Sequence, residues 1–294
     1  MIESMLGVAG RLGSSADALA ALGALIKIES EHLPVDPDVH AVLQAIGAEL
    51  LGAPVAVTPE SAPALGLAQT FFAQGVELLR NPGRTGGWDQ VDVGLLQGIG
   101  RMSMSVAGAI TAAAQVQPGL AEQLSGEVRI LDIGTGTGWL AIALAETYPL
   151  ARVVGIDIFV PALELAQANV SAASLDDRIE LKQQDALALA DTAEFSAVWL
   201  PLPFLPAAIV PGVLEAVRGS LRPGGWLVAG TFAPGGPGRL AELLMDLRTL
   251  RSGGRPWVAD DLLPVLNSAG YVDHTQVPRT WTAPVHLFLG RRPT

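Results

Sequence analysis

The sequence predicts an α/β protein, a mostly parallel sheet covered by helices on both faces and preceded by a helical region. Three observations predict it. From Glu127 onward, apolar runs of strand length alternate with helix-length segments, the pattern of a parallel sheet whose crossovers lie on its faces. Before Gln123 the periodicity is helical and no good strand is found. Alanine and leucine dominate the apolar half of the chain and aromatics are only 5%, which favours helices packed on a sheet over a sandwich of sheets. The expected division is a helical accessory region over 1–123 and a sheet domain over 124–294.

In the first region, Ser15–Ile28 repeats leucine and alanine at helical spacing, with Ser15 as a candidate N-cap. Asp38–Leu51 reads as a second helix. Thr58–Pro59–Glu60 opens a third segment, whose Gly66–Arg80 stretch points Leu67, Phe71, Val76 and Leu79 toward a core. Breakers make Asn81–Gly87 a loop. Asp92–Ala114 follows as one helical run, interrupted at Pro118–Gly119.

In the second region the expected strands are Val128–Ile133, Arg152–Ile156, Arg178–Gln183, Phe195–Leu200 and Trp226–Thr231. Helices Trp139–Tyr148, Pro161–Ser171 and Val210–Leu221 separate them, the last closed by Arg222–Pro223–Gly224–Gly225. Helices Gly238–Leu250 and Ala259–Ala269 come next. Tyr271–Val277 and Val285–Gly290 read as a closing pair of strands.

Composition excludes several classes. The chain is half hydrophobic and 16% charged, so it is not disordered. Its formal charge is −11 and its basic residues are scattered, so nucleic acid is not the expected partner. With no cysteine there are no disulfides, thiolate nucleophiles or cysteine metal sites. The start of the chain has no basic, apolar secretory signal and no apolar run spans a bilayer. No membrane association and a cytoplasmic location are therefore expected.

The chemistry concentrates in Ile130–Trp139, read Ile-Leu-Asp-Ile-Gly-Thr-Gly-Thr-Gly-Trp, at the end of the first strand. Glycines there let the chain turn sharply and let a ligand approach the peptide groups. The helix starting near Trp139 aims its free N–H groups at that ligand. The spacing is G-x-G-x-G, whereas a dinucleotide fingerprint wants a glycine where Trp139 stands. Asp132 would repel a pyrophosphate but suits an ammonium group. Asp157 ends the second strand, where an acid can accept ribose hydroxyls, and Asp185, after the third, can accept from an adenine amino group. Each acid has a structural reading as well: Asp157 as a helix cap, Asp185 as the start of a turn. A carboxylate buried in an apolar strand, as Asp132 would be, is harder to explain structurally.

On these residues the chain from Glu127 to Arg292 resembles the class I S-adenosylmethionine (SAM) dependent methyltransferases. The resemblance implies a Rossmann-like, mostly parallel seven-stranded sheet with an antiparallel last strand, SAM as the cofactor, and a methyltransferase activity. It places Asp132, Gly134, Thr135, Gly136 and Gly138 in the cofactor loop and Asp157 on the ribose. It sets Ile158 against the adenine, with Asp185 and Ala186 at its edge. Arg101, from the helical run before the sheet, is a candidate partner for the cofactor carboxylate or a substrate acid.

Trp199–Pro206 ends the fourth strand and should face the methyl group. It is similar to the N-P-P-Y element of amino-methylating members at Pro203–Phe204, but Leu202 replaces the polar residue that holds the target nitrogen. An apolar acceptor wall including Leu200 and Phe204 is expected, with Trp88 and Met102 as further lining. The metal ligands of catechol-type members are missing, so no metal is expected. His32, His40, His274 and His286 carry no base signature, and no catalytic base is assigned. The reading is methyl transfer to the oxygen, nitrogen or carbon of a small, fairly apolar metabolite, in secondary metabolism, with a homodimer through the N-terminal helices. The alternatives are a SAM-binding protein without methyl transfer, such as a regulator or a non-methylating cyclase, and a protein methyltransferase.

Overall fold

The computed structural model describes residues 4–58, 61–84, 86–87, 92–190 and 192–294. Two compact units divide at Pro82/Gly83. The first contains α1 (Met5–Glu31), α2 (Pro37–Leu51) and α3 (Ala62–Arg80). Ser15, the expected cap, lies inside α1; Ser4 caps the helix instead, its Oγ accepting from Gly7 N at 3.1 Å. Asp36 caps α2 by accepting from Asp38 N and Val39 N.

The helix expected at α3 forms, but its large side chains do not enter a core. Leu67, Phe71, Val76 and Leu79 are 36%, 38%, 44% and 83% exposed. Among the positions described, Gly66, Ala68 and Thr70 are the buried ones. The reason is close approach: a Cβ on Gly23 of α1 would lie 3.4 Å from the Cβ of Ala68. Helices that meet through small residues turn their large ones outward. Pro59 and Glu60, at the expected start of this segment, lie outside the described residues.

The second unit begins with α4 (Val93–Ser103), α5 (Ser105–Val116) and α6 (Pro118–Gln123). The single run expected over 92–114 is thus two helices, joined at Met104, and Asp92 caps the first by accepting from Leu95 N at 2.7 Å. α5 buries Val106, Ala109, Ile110 and Ala113 in the same core as the sheet. By packing, α5 belongs with the sheet.

The sheet strands are β1 (Val128–Ile133), β2 (Ala151–Asp157), β3 (Ile179–Gln183), β4 (Phe195–Pro201), β5 (Leu221–Phe232), β6 (Val272–Gln276) and β7 (Val285–Arg291). Their order is β3-β2-β1-β4-β5-β7-β6. The first five are parallel, β7 runs antiparallel to β5, and β6 antiparallel to β7. Around them lie α7 (Trp139–Thr147), α8 (Val160–Ala172), α9 (Val210–Ser220), α10 (Arg239–Arg251) and α11 (Ala259–Ser268). Arg222–Gly225 is a bulged start of β5 rather than a separate turn, with the register against β4 shifting between Phe195 and Ala197.

Strand alternation sends neighbouring residues to opposite cores. Ile130 packs with α5 and α7, while Leu131 and Ile133 pack with α9 and α11. Each such buried side chain contributes about 1.5–3 kcal/mol against exposure. Arg292, just past β7, caps the end of α9: its Nη1 donates to the carbonyls of Arg218 at 3.1 Å, Gly219 at 2.8 Å and Leu221. Among the described residues, no helix is long and apolar enough to cross a membrane.

Candidate active site

The strand order reverses between β1 and β4, so the carboxyl ends of those strands open a crevice where the connections diverge, the place where open α/β sheets bind ligands. The loop from Gly134 to Gly138 lines it. Gly134, Gly136 and Gly138 have φ of +65°, +55° and +79°, values costly for residues with a Cβ. Gly138 also meets α8 closely, since a Cβ there would sit 3.1 Å from that of Ala166.

Asp132 is 1% exposed at the end of β1. Its Oδ2 accepts from Thr135 Oγ1 at 2.7 Å, and its Oδ1 is buried with no partner among the described residues. Burial pushes its pKa up to about 7, against the pull of the Thr135 hydroxyl and with a further rise from the Asp157 charge. Thr135 can fold back this way because β2 has a glycine opposite it; a Cβ on Gly155 would lie 2.7 Å from Thr135 Oγ1.

Asp157, ending β2, braces the same loop. Its Oδ2 accepts from Gly136 N at 2.8 Å and its Oδ1 from Phe159 N at 2.9 Å. Burial raises its pKa, and backbone N–H groups of Phe159, Gly136 and Ile158 oppose the rise. The helix-cap reading and the ligand reading therefore coexist: each oxygen keeps a lone pair for a hydroxyl. Ile158 beside it is 68% exposed, an apolar side chain free to cover a flat ring. Asp185 accepts from Leu187 N at 2.9 Å and so caps the 3-10 turn Ala186–Ala188, with Ala186 buried. Gln184 N donates to the Asp157 carbonyl at 3.0 Å and ties this turn to β2.

The structure adds a group that sequence spacing does not reveal. α4 lies on the loop, and a Cβ on Gly100 would collide with Thr137 Oγ1 and come within 2.8 Å of Trp139 Cδ1. Trp139 Nε1 donates to Gln97 Oε1 at 2.6 Å, and Asn169 of α8 donates to the same oxygen at 3.1 Å and to the Thr137 carbonyl at 2.8 Å. Arg101 places its Cζ 5.2 Å from the centroid of the Trp139 ring. Glycine at one helix position and a Gln–Asn pair separated by 72 residues leave no local signature.

On the acceptor side the expectation changes in detail. Leu200 and Leu202 are both fully buried, in the core formed with α9 and α11. Leu200 therefore presents no surface to a ligand. The alternation of β4 turns it away from the crevice. Phe204 is half-buried and meets Phe232 edge-on, with ring centroids 5.7 Å apart. Met102 is half-buried on α4. Trp88 lies outside the described residues. His286 pairs with Thr231 near the carboxyl end of β5; burial, then Arg279, lowers its pKa. Of the other histidines, His40 faces Glu29 at 3.3 Å in the first unit. Among the described residues, no three His, Asp or Glu side chains gather as a metal set.

The donor set fits an adenosyl amino acid. A buried carboxylate oxygen without a partner awaits a cation or donor, and a second carboxylate with spare lone pairs, Asp157, ends the neighbouring strand β2. Comparison with known proteins agrees with this geometry. Residues 130–225 match a family model described as a methyltransferase domain. A release factor glutamine methyltransferase of Rhodopirellula baltica is 34% identical over 128 residues, 43% of this chain and 42% of that protein. A tRNA1(Val) (adenine(37)-N6)-methyltransferase of Porphyromonas gingivalis is 51% identical over 57 residues, 19% of this chain and 22% of that one. The matches thus span well under half the length of these curated relatives. A solved O-methyltransferase family protein from Burkholderia thailandensis aligns with a TM-score of 0.68 at 14% identity, covering 100% of this chain and 99% of its own.

Proposed function

Starting from a segment, 130–225, that is a methyltransferase domain of the class I, SAM-dependent kind, we propose that this chain moves a methyl group from SAM to a small, fairly apolar metabolite. The observation that carries the reading is the pair Asp132 and Asp157, converging on one glycine loop with a buried oxygen still unpartnered. When bound, SAM supplies an electrophilic methyl group on a sulfonium centre.

The residues then divide the work. Asp132 and the loop around Thr135 hold the ammonium end, and Asp157 takes the ribose hydroxyls while keeping Gly136 in place. Ile158, Asp185 and Ala186 border the adenine, and Arg101 offers its guanidinium to a carboxylate. The aromatic pair Phe204 and Phe232, with Met102 nearby in sequence to Arg101, supports an acceptor that is flat and apolar. Excluding water and aligning the acceptor atom is what such walls contribute to a displacement. Metal assistance has no support in the donor groups at this edge.

Small molecules are favoured over macromolecules by two features. The net charge of −11 opposes a polyphosphate partner. Leu202, fully buried, cannot hold an amide nitrogen as a polar residue at that place would. A cytoplasmic protein, paired through the exposed apolar side chains of α3, completes the proposal. Incubation with SAM and separate pools of phenols, amines, peptides and tRNA, followed by S-adenosylhomocysteine, tests it. Product with phenols or amines supports the reading. Product with peptides or tRNA alone would replace the acceptor class, and cofactor binding without any product would leave a SAM-binding protein.

A further inference from the structure

The polar group linking α4 to the glycine loop has more structure than packing requires. Gln97 Oε1 accepts two hydrogen bonds, from Trp139 Nε1 and Asn169 Nδ2, while its Nε2 donates to Asn169 Oδ1 at 3.1 Å. Asn169 also holds the Thr137 carbonyl of the loop. Four groups from α4, the loop, α7 and α8 thus form one closed set. Gly100 lets α4 come near enough to make it.

The set fixes the indole. Trp139 is the first residue of α7, beside the free N–H groups of that helix, and its ring is pinned by the Nε1 bond. Arg101, one turn past Gln97 on α4, lies over that ring, and its guanidinium makes no hydrogen bond or ion pair among the described residues. A guanidinium held over a ring, with no partner of its own, keeps its N–H fork for two parallel bonds to a carboxylate. A helix N-terminus beside it favours the same negative group. Both features point to one ligand group, an α-carboxylate at the loop.

We propose that Gln97 is a positioning residue: with Asn169 it locks the Trp139 indole as a platform that presents Arg101 to the carboxylate of the cofactor. This rests on the methyltransferase reading and adds residues to it. It predicts that the latch acts on one end of the cofactor only. The adenosine end, held by Asp157 and Asp185, should not sense it.

The test is a pair of titrations, with S-adenosylhomocysteine and with its decarboxylated analogue, on the wild type, Arg101→Ala, Gln97→Met and the double variant. Arg101→Ala should weaken the carboxylated ligand about tenfold or more, the scale of a lost charge-assisted pair. Gln97→Met should weaken it several-fold, and the double variant should lose no more than Arg101→Ala alone. The decarboxylated ligand should change by less than about twofold throughout. Trp139→Phe, which keeps a ring but not the donor, should behave as Gln97→Met does, and serves if the latter does not fold.

Equal loss for both ligands in Gln97→Met would overturn the proposal, because the latch would then shape the loop as a whole. Independent, multiplying losses would overturn it too. If the wild type binds neither ligand, the SAM reading itself falls; if it binds both equally well, that reading stands and this one fails.

Discussion

Two halves of the same sheet edge are built on different principles. Where β1 and β2 end, the chain offers carboxylates, positive-φ glycines and backbone N–H groups that hold one another, as Asp157 holds Gly136. Where β4 and β5 end, it offers aromatic and aliphatic side chains, with Phe204 against Phe232 and Leu202 sealed in the core. The first half is shaped by directional bonds and therefore specifies a ligand. The second is shaped by packing and specifies only a size and a polarity. A cofactor can be read from such a molecule more readily than an acceptor.

The contrast breaks most readily at Asp157. Asp157→Ala removes the brace on Gly136 and Phe159 together with the proposed hydroxyl acceptor. A cost of about 3–4 kcal/mol in SAM binding is expected, more than a hundredfold in affinity, and calorimetry reads it directly. A loss under threefold would mean that the polar half is scaffolding.

The apolar half should respond in stability. Leu202→Asn restores the polar residue of amino-methylating members, but it buries an amide in a fully closed site. It should lower unfolding stability by about 2–4 kcal/mol in denaturant titration and gain no activity on peptides. A folded variant that methylates glutamine would erase the distinction drawn between the halves.

Gly100→Ala probes the seam between α4 and the loop. In a helix interior this exchange ordinarily stabilises by about 1 kcal/mol. Here the new methyl meets Thr137 and Trp139, so a net loss of about 1–3 kcal/mol is expected from overpacking, with weaker cofactor binding alongside. A rise in melting temperature would show that α4 does not rest on the loop as described.

Asp132 sharpens the comparison through pH. Its pKa is about 7 in the folded chain, above the ordinary 3.8, so the folded state holds the extra proton between those values. The stability this group contributes is fully present below pH 3.8 and is lost as pH rises through 7. Binding of a cation runs the other way, because it needs the ionised form. Between pH 6 and 7, below the range where the ammonium of SAM loses its own proton, the affinity should increase about fivefold, and Asp132→Asn should flatten that rise. A flat profile in the unsubstituted protein would disprove the role given to the orphan oxygen.

Much of this was legible before any coordinates. The run Asp132–Gly138 states its own conformation, since three positive φ values call for glycines, and acids at the ends of β1 and β2 are unusual enough to name a ligand. The mostly parallel sheet followed from alternation, and its seven strands with an antiparallel last one from the resemblance; the order of the strands did not. What stayed hidden depends on distance in the chain. Gln97 and Asn169 meet across 72 residues, and nothing near either announces the other. Gly155 is an ordinary strand glycine until Thr135 is seen folded across it. For Leu200 the strand was right, and only its phase, which face each residue takes, remained open. For α3 the periodicity gave a helix with an apolar stripe, but Leu67, Phe71, Val76 and Leu79 lie outward because Ala68 and Gly23 make the closest approach. Periodicity locates a stripe without naming what covers it.

The place of β7 in the sheet has a consequence for how the protein is made. It is translated after β6, yet it lies between β5 and β6. Until β7 is inserted, β6 has no neighbour to join, and the full length of β5 has one side of its backbone unsatisfied. A chain whose β7 is slow to insert can recruit a stranger's strand at that open edge, so slow docking of the last strand should favour aggregates over enzyme.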